Sequence, residues 1–140
     1  MIGHYKGYYE YDKKSITNNV SHGVTFFFVD ITDTDGKKFT GTVQDDAFTG
    51  GTPGIGKISG ELIGNRITFI KQMPIASFIV DGQMRNFDKN HPKIYYTGIK
   101  TDRKYKGTWK IKLGLFNDGL LFLLGARTSG TWEMEKSTNA

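Results

Sequence analysis

A glycine placed two positions from bulky apolar residues on a strand is the feature that most constrains the fold. In the stretch Tyr105-Lys106-Gly107-Thr108-Trp109, residues of two kinds alternate, and Gly107 falls in register with the two aromatic residues. Such alternation is typical of a β-strand, in which successive side chains point to opposite faces. Because glycine weakens a strand by roughly 0.5–1 kcal/mol relative to alanine, a glycine on the apolar face needs a structural reason.

The same unit recurs along the chain. Its other occurrences are Tyr5-x-Gly7-x-Tyr9, Phe39-x-Gly41-x-Val43, Ile58-x-Gly60-x-Leu62, Tyr96-x-Gly98 and Thr128-x-Gly130-x-Trp132. A missing side chain on the concave face lets a strand bend sharply and leaves space for a large residue from across the barrel. We interpret these glycines as the signature of a sheet that closes on itself; the alternative is a set of unrelated glycines on a flat or sandwiched sheet.

Turn signals divide the chain into short strands, as in an all-β domain. The signals are Thr34-Asp35-Gly36, Thr52-Pro53-Gly54, Gly64-Asn65, Asp81-Gly82 and Asn117-Asp118-Gly119. Strands are predicted near 4–11, 23–31, 37–44, 55–63, 65–72, 75–80, 92–100, 104–114, 119–124 and 128–136, and irregular structure or a short helix in 12–22 and 82–91. The predicted fold is one all-β domain over residues 1–140, an antiparallel up-and-down β-barrel of about eight to ten strands.

Composition excludes several classes of site. The chain has no cysteine, which excludes disulfides and thiolate metal ligands. The first residues do not show the basic lead and apolar run of a secretory signal, and the longest apolar run, 120–124, is far too short for a membrane-spanning helix. We therefore expect a cytoplasmic protein with no membrane partner.

The positive charge is concentrated in one part of the chain. The net charge is +5, and residues 89–112 hold eight basic residues with Asp102 as their sole acidic residue. Tyr105 and Trp109 have the parity opposite to the neighbouring lysines, so rings and charges are expected on different faces. This arrangement disfavours nucleic acid as a partner, since single-strand binders combine both on one surface. The pattern favours a solvated face balanced by Glu133 and Glu135 of an adjacent last strand.

The recognised catalytic and metal-binding patterns are missing from this sequence. Residues 51–57 fit G-x-x-x-x-G-K, but Ile58 replaces the Ser or Thr that holds magnesium, and a strand pattern follows instead of a helix. His4, His22 and His91 lie in separate segments without ligand spacing. We predict no catalytic residue, no metal site and no cofactor.

Two charged residues have the parity of the barrel interior. Lys71 shares the parity of Ile67 and Phe69, and Asp45 shares that of Phe39 and Val43. An unpaired buried charge costs several kcal/mol, so an inward Lys71 needs a partner such as Asp45, with a Tyr96 hydroxyl closing the pair. The alternative is a lysine at a strand end whose ammonium reaches solvent.

An internal polar cluster with apolar walls is typical of a ligand site in a barrel mouth. The candidate ligand-binding residues are Lys71, Asp45, Tyr96, Trp109, Trp132, Phe69 and Tyr9. The same aromatic residues, together with Tyr5 and Phe39, either line a cavity or fill it, because an eight-stranded barrel has room for little more than its own side chains.

Two short runs are apolar at every position, 26–29 and 120–124. A barrel strand exposed on its outer face alternates with polar residues, so a continuous apolar run suggests a covering loop or a second subunit. The sequence therefore raises the hypothesis of a homodimer.

Several short phrases resemble the calycin superfamily, which includes the lipocalins, fatty-acid-binding proteins and avidins. They are Gly-Thr-Trp at 107–109 and 130–132 and Ile58-Ser59-Gly60; the stretches 41–46, 67–71 and 95–98 also resemble small lipocalin-like barrels of unassigned activity. The first strand reads Lys6-Gly7-Tyr8-Tyr9 where lipocalins have Gly-x-Trp, so no family ligand is transferred.

The resemblance and the interior residues together imply a non-enzymatic, lipocalin-like barrel. Its expected ligand is small and largely apolar, with an acidic or carbonyl head group. One alternative is an interaction module with a filled core that acts through oligomerisation. Another is an isomerase- or cyclase-like enzyme that uses the barrel cavity.

Overall fold

The computed structural model describes residues 1–11, 24–49, 51, 54–74, 76–80, 83–87, 93–111 and 128–137. Within these residues, no helix is long and apolar enough to cross a bilayer. The strands of the described residues are β1 Gly3–Tyr11, β2 Thr25–Asp35, β3 Lys38–Asp45, β4 Ile55–Ile63, β5 Arg66–Gln72, β6 Ala76–Val80, β7 Gln83–Phe87, β8 Ile94–Thr101, β9 Lys104–Ile111 and β10 Thr128–Lys136, and a 3₁₀ turn lies at Ala47–Thr49.

Eight of these strands form a closed antiparallel barrel in the order β1-β10-β9-β8-β5-β4-β3-β2. Each barrel strand pairs with its neighbours along the chain, and β5 pairs with β8 because the separate hairpin β6–β7 is inserted between them. The first and last strands pair from Tyr5↔Lys136 to Tyr11↔Gly130 and close the ring. This up-and-down barrel confirms the predicted fold class.

The two ends of the barrel differ in their connections. At one end, hereafter the turn end, two-residue turns join β2 to β3, β4 to β5 and β8 to β9. Gly36, Gly64 and Asp102 in these turns have φ of 60°, 61° and 57°, which is the left-handed conformation that tight hairpins require. At the opposite loop end, the connections span residues 12–24, 46–54, 73–93 and 112–127. Barrel ligands usually enter at the end that carries long connections.

Glycines on the inner face allow the strands to approach closely. Gly98 on β8 is paired with Gly107 on β9, and a Cβ on Gly107 would lie 1.9 Å from the carbonyl oxygen of Thr97. The indole of Trp132 covers Gly98, because its Cζ2 atom lies 2.8 Å from the place where a Cβ on Gly98 would stand. The expectation that the filling residue comes from across the barrel is therefore wrong, because Trp132 is the register partner of Gly107 on the adjacent strand.

One predicted irregular stretch and one predicted strand boundary are also wrong. Residues 83–87, expected to be irregular, form β7, because antiparallel pairing with β6 overrides the weak strand preference of this segment. Strand β2 continues beyond residue 31 to Asp35, with a register shift between Ile31 and Asp33 that absorbs one extra residue. The predicted strand 119–124 and the stretch 12–22 lie outside the described residues.

The outer face of β9 and β10 confirms the predicted charge pairing. Lys106 is the register partner of Glu133, and Lys104 lies 3.7 Å from the same carboxylate. Tyr105 and Trp109 are buried on the opposite face. Strand β4 begins at Ile55, within the 51–57 stretch, and continues to Ile63, which confirms the predicted strand in place of the helix that a phosphate-binding loop requires.

Candidate ligand-binding site

A lysine and an aspartate form an ion pair inside the barrel. Nζ of Lys71 donates a hydrogen bond of 2.6 Å to Oδ1 of Asp45, and the two side chains are only 1% and 2% exposed. The alternative in which Lys71 extends its ammonium to solvent is therefore excluded. Since β4 separates β3 from β5, the long lysine side chain reaches across that strand to the carboxylate.

Aromatic rings surround the ammonium. Nζ of Lys71 lies 4.7 Å from the ring centre of Tyr9, 5.5 Å from that of Phe27 and 5.9 Å from that of Tyr96. A cation at these distances is attracted to a ring face, more strongly when it is withdrawn from water. The rings thus offset part of the cost of removing the lysine from solvent.

Tyrosine hydroxyls complete the polar cluster. The hydroxyl of Tyr9 donates a hydrogen bond to Oδ2 of Asp45 at 3.3 Å. Burial, followed by the charge of Asp45, raises the pKa of Tyr9 and of Tyr96 well above the ordinary value. The same two causes raise the pKa of Tyr11 to about 12. At neutral pH these three hydroxyls therefore remain protonated.

The connection after β3 covers Asp45 from the loop end. The backbone of Gly51 lies against this side chain, since a Cβ on Gly51 would stand 2.3 Å from Cβ of Asp45. Thr49 anchors the connection to β2, because its carbonyl accepts a 2.8 Å hydrogen bond from the hydroxyl of Thr25 and its own hydroxyl accepts one of 3.0 Å from the amide of Phe26. The ion pair is thus held under backbone that is hydrogen-bonded to the barrel.

Three of the predicted ligand-binding residues pack tightly against one another on the turn-end side of the pair. The rings of Phe69 and Tyr96 stack with centres 4.6 Å apart, and Trp132 meets them edge-on at 5.3 and 5.5 Å. The indole N–H of Trp132 donates to the carbonyl of Thr97 at 3.0 Å. These rings fill the middle of the barrel and form a floor beneath the ion pair.

Trp109 lies on the loop-end side of the same site. Its ring centre is 5.8 Å from that of Tyr9 and 5.1 Å from that of Tyr11, and its N–H is shared between the carbonyls of Glu10 and Thr131. All seven predicted residues therefore belong to one connected cluster around Lys71 and Asp45.

Sequence reasoning missed two members of the cluster, Tyr11 and Phe27. Both carry a usable signal, because Tyr11 continues the inward parity of Tyr9 and Phe27 shares that of the buried Val29. The apolar run 26–29 hid this parity, since consecutive phenylalanines give no alternation from which to choose a face.

No group of residues suited to a metal ion occurs in the part of the chain that the structure describes. His4 contacts Asp30 on the outer surface, where both side chains are exposed. His22 and His91 lie outside the described residues.

Comparison of the chain with protein-family models, with curated proteins and with solved structures gives no match.

Proposed function

We propose that the protein is a non-enzymatic, lipocalin-like carrier that binds a small, largely apolar ligand in the barrel. The observation that carries this proposal is the buried pair of Lys71 and Asp45 beneath the loop end, bordered by protonated tyrosines. A few convergent polar groups among aromatic walls are the usual composition of a small-molecule site.

The cost of the ion pair supports a role beyond folding. Withdrawing two charges from water costs several kcal/mol, and replacing such a pair with well-packed apolar residues is often neutral or stabilising. An interior already rich in packed rings does not need charges to be stable. The pair is therefore more readily explained as a recognition element than as a source of stability.

The charges of the site favour a neutral head group. One ammonium and one carboxylate cancel, so a buried carboxylate ligand would add an uncompensated negative charge. A carbonyl oxygen, in contrast, accepts a hydrogen bond from the ammonium of Lys71 without changing the net charge. We therefore favour a carbonyl head over an acidic one.

Thermal unfolding with defined probes tests the proposal. At saturating concentration, 2-undecanone should raise the melting temperature of the wild type by several degrees, and decanoate by less, because a ligand bound only to the folded state stabilises it by about 2.7 kcal/mol at 100 times Kd. The double variant Asp45→Leu/Lys71→Met removes both charges and should lose the shift while remaining folded.

A lysine-to-methionine substitution on the surface controls for the change in the overall hydrophobicity of the protein. Lys57→Met changes an exposed lysine on the outer face of β4 and should keep the full shift of the wild type. An unchanged wild-type melting temperature with both probes, or an equal shift in the double variant, would contradict the proposal.

A second candidate, an interaction module with a filled core, is favoured by the ring packing of Phe69, Tyr96 and Trp132 and by exposed apolar residues. Phe48 is fully exposed beside the loop end, and Phe28 and Ile55 are largely exposed on the outer faces of β2 and β4. This candidate predicts a homodimer, which sedimentation at micromolar concentration detects. An isomerase- or cyclase-like activity is the third candidate and shares the interior site.

A further inference from the structure

A cleft lies at the turn end, on the opposite side of the barrel core from Lys71 and Asp45. It has a volume of about 560 Å³ and lies between the β8–β9 turn and the first and last strands. Tyr5, Tyr105 and Leu62 form its inner part, and the rings of the two tyrosines meet edge-on with centres 6.0 Å apart. The hydroxyl of Tyr5 donates to the carbonyl of Met1 at 2.8 Å, which fixes this ring.

Positive charge predominates around the cleft. Its lining includes Lys100, Arg103 and Lys136, against the single carboxylate of Asp102. An adjoining depression of about 550 Å³ provides an internal comparison, because its basic and acidic residues are equal in number. These are Arg103, Lys104 and Lys106 against Asp102, Glu133 and Glu135. Cations therefore exceed carboxylates in the turn-end cleft, whereas Glu133 and Glu135 of β10 help to balance the cations of the adjoining depression.

Two of the cations are positioned by their surroundings. The methylene chain of Lys136 lies along the backbone of Gly3, where a Cβ would stand 2.6 Å from the lysine Cε. The ammonium of Lys100 lies 5.7 Å from the ring centre of Tyr105. The backbone amide of Lys100 donates a hydrogen bond of 2.7 Å to the carbonyl of Asn65. Packing of this kind reduces the side-chain entropy that a lysine loses on binding.

We propose that this cleft is a second binding site, for a small organic anion. The carboxylate or phosphate group of the ligand contacts Lys100, Arg103 and Lys136, and its apolar part lies against Met1 and Leu62, the partly exposed apolar residues of the lining. The combination of charge-assisted hydrogen bonds with an apolar surface selects anions that carry a ring or a short apolar chain over bare inorganic anions. This site is independent of the interior function proposed above.

Titration with phenyl phosphate, followed by amide chemical shifts at low ionic strength, tests this inference. Saturable shifts are expected for amides of 100–105, Leu62 and Ser137, and phenyl phosphate should bind more tightly than inorganic phosphate. Lys100→Gln and Lys136→Gln should each weaken binding about two- to fivefold, which is the effect of removing one exposed charge. Added salt should weaken binding further.

Lys57→Gln is the matched control, since it removes one exposed lysine far from the cleft, near the loop end. It should leave the affinity unchanged. The inference is overturned if Lys57→Gln weakens binding as much as the cleft variants do, if the shifts are not localised at the turn end, or if inorganic phosphate binds as tightly as phenyl phosphate. All three substitutions are at exposed positions, and unchanged melting temperatures confirm that the variants are folded.

Discussion

Lys71 and Asp45 place a full positive and a full negative charge inside an aromatic core. Their inward parity could be predicted from the alternation of β3 and β5, and so could their pairing, because a buried ammonium needs a counter-charge. The hydrogen bond from Tyr9 to Asp45 could not be predicted. It depends on how β1 and β3 are staggered around the barrel, which no local pattern encodes.

Removing one charge should differ sharply from removing both. Lys71→Met leaves Asp45 buried without its partner cation, so we expect the free energy of unfolding to fall by about 3–5 kcal/mol. Asp45→Leu/Lys71→Met should be neutral or more stable than the wild type by up to about 4 kcal/mol. Urea unfolding of the three proteins measures both effects. A single variant as stable as the double variant would show that the pair is not buried in solution.

The raised pKa values of the tyrosines around Asp45 predict a loss of stability at alkaline pH. Tyrosine in an unfolded chain has a pKa of about 10, whereas burial and Asp45 raise the pKa of Tyr11 to about 12 and that of Tyr96 well above the ordinary value. As pH rises above 10, the unfolded chain releases protons that the folded protein retains, so the stability present below pH 10 falls by about 1.4 kcal/mol per pH unit for each such tyrosine.

Urea unfolding at pH 9 to 11 measures this slope. Tyr96→Phe removes one titrating group and should make the decline shallower by about 1.4 kcal/mol per pH unit over the upper part of the range. An identical slope in the wild type and in Tyr96→Phe would contradict a protonated, buried Tyr96.

Among the elements, β8, β9 and β10 show how the glycines act. The inward position of these glycines could be predicted from sequence, because the alternation of side chains along a strand assigns each glycine to a face. The source of the covering ring could not be predicted, since the register that sets Trp132 opposite Gly107 depends on which strands are neighbours. Strand β7 escaped prediction for a related reason: its polar residues have low strand propensity, and pairing with β6 overrides that local preference.

Gly107→Ala tests the close approach of β8 and β9. The new methyl group would stand 1.9 Å from the carbonyl oxygen of Thr97, an atom of the backbone that cannot rotate away. We expect a loss of about 3 kcal/mol or more in the free energy of unfolding, at the upper end of overpacking effects. Thr108→Ala, on the exposed face of the same strand, should change stability by less than about 1 kcal/mol. Similar losses in both variants would contradict the close approach.

Over the whole molecule, the barrel separates two chemically different ends. The loop end lies over a neutral ion pair among tyrosines, and the turn end carries an open cleft with excess positive charge. The all-β class and the closure of the sheet follow from period-two alternation and repeated inward glycines. The contrast between the two ends depends on which connections are short and which are long. A connection can be assigned to one end of the barrel only when the strand order is known.

Closure of the sheet is the claim on which both sites depend, because an open sheet would expose Lys71 and separate the residues around the turn-end cleft. Solution NMR tests it directly through backbone nuclear Overhauser effects between β1 and β10. A closed barrel predicts an antiparallel series of contacts from Tyr5↔Lys136 to Tyr11↔Gly130, as regular as that between β9 and β10. A spectrum that shows the β9–β10 series but no contacts between β1 and β10 would contradict the closed barrel.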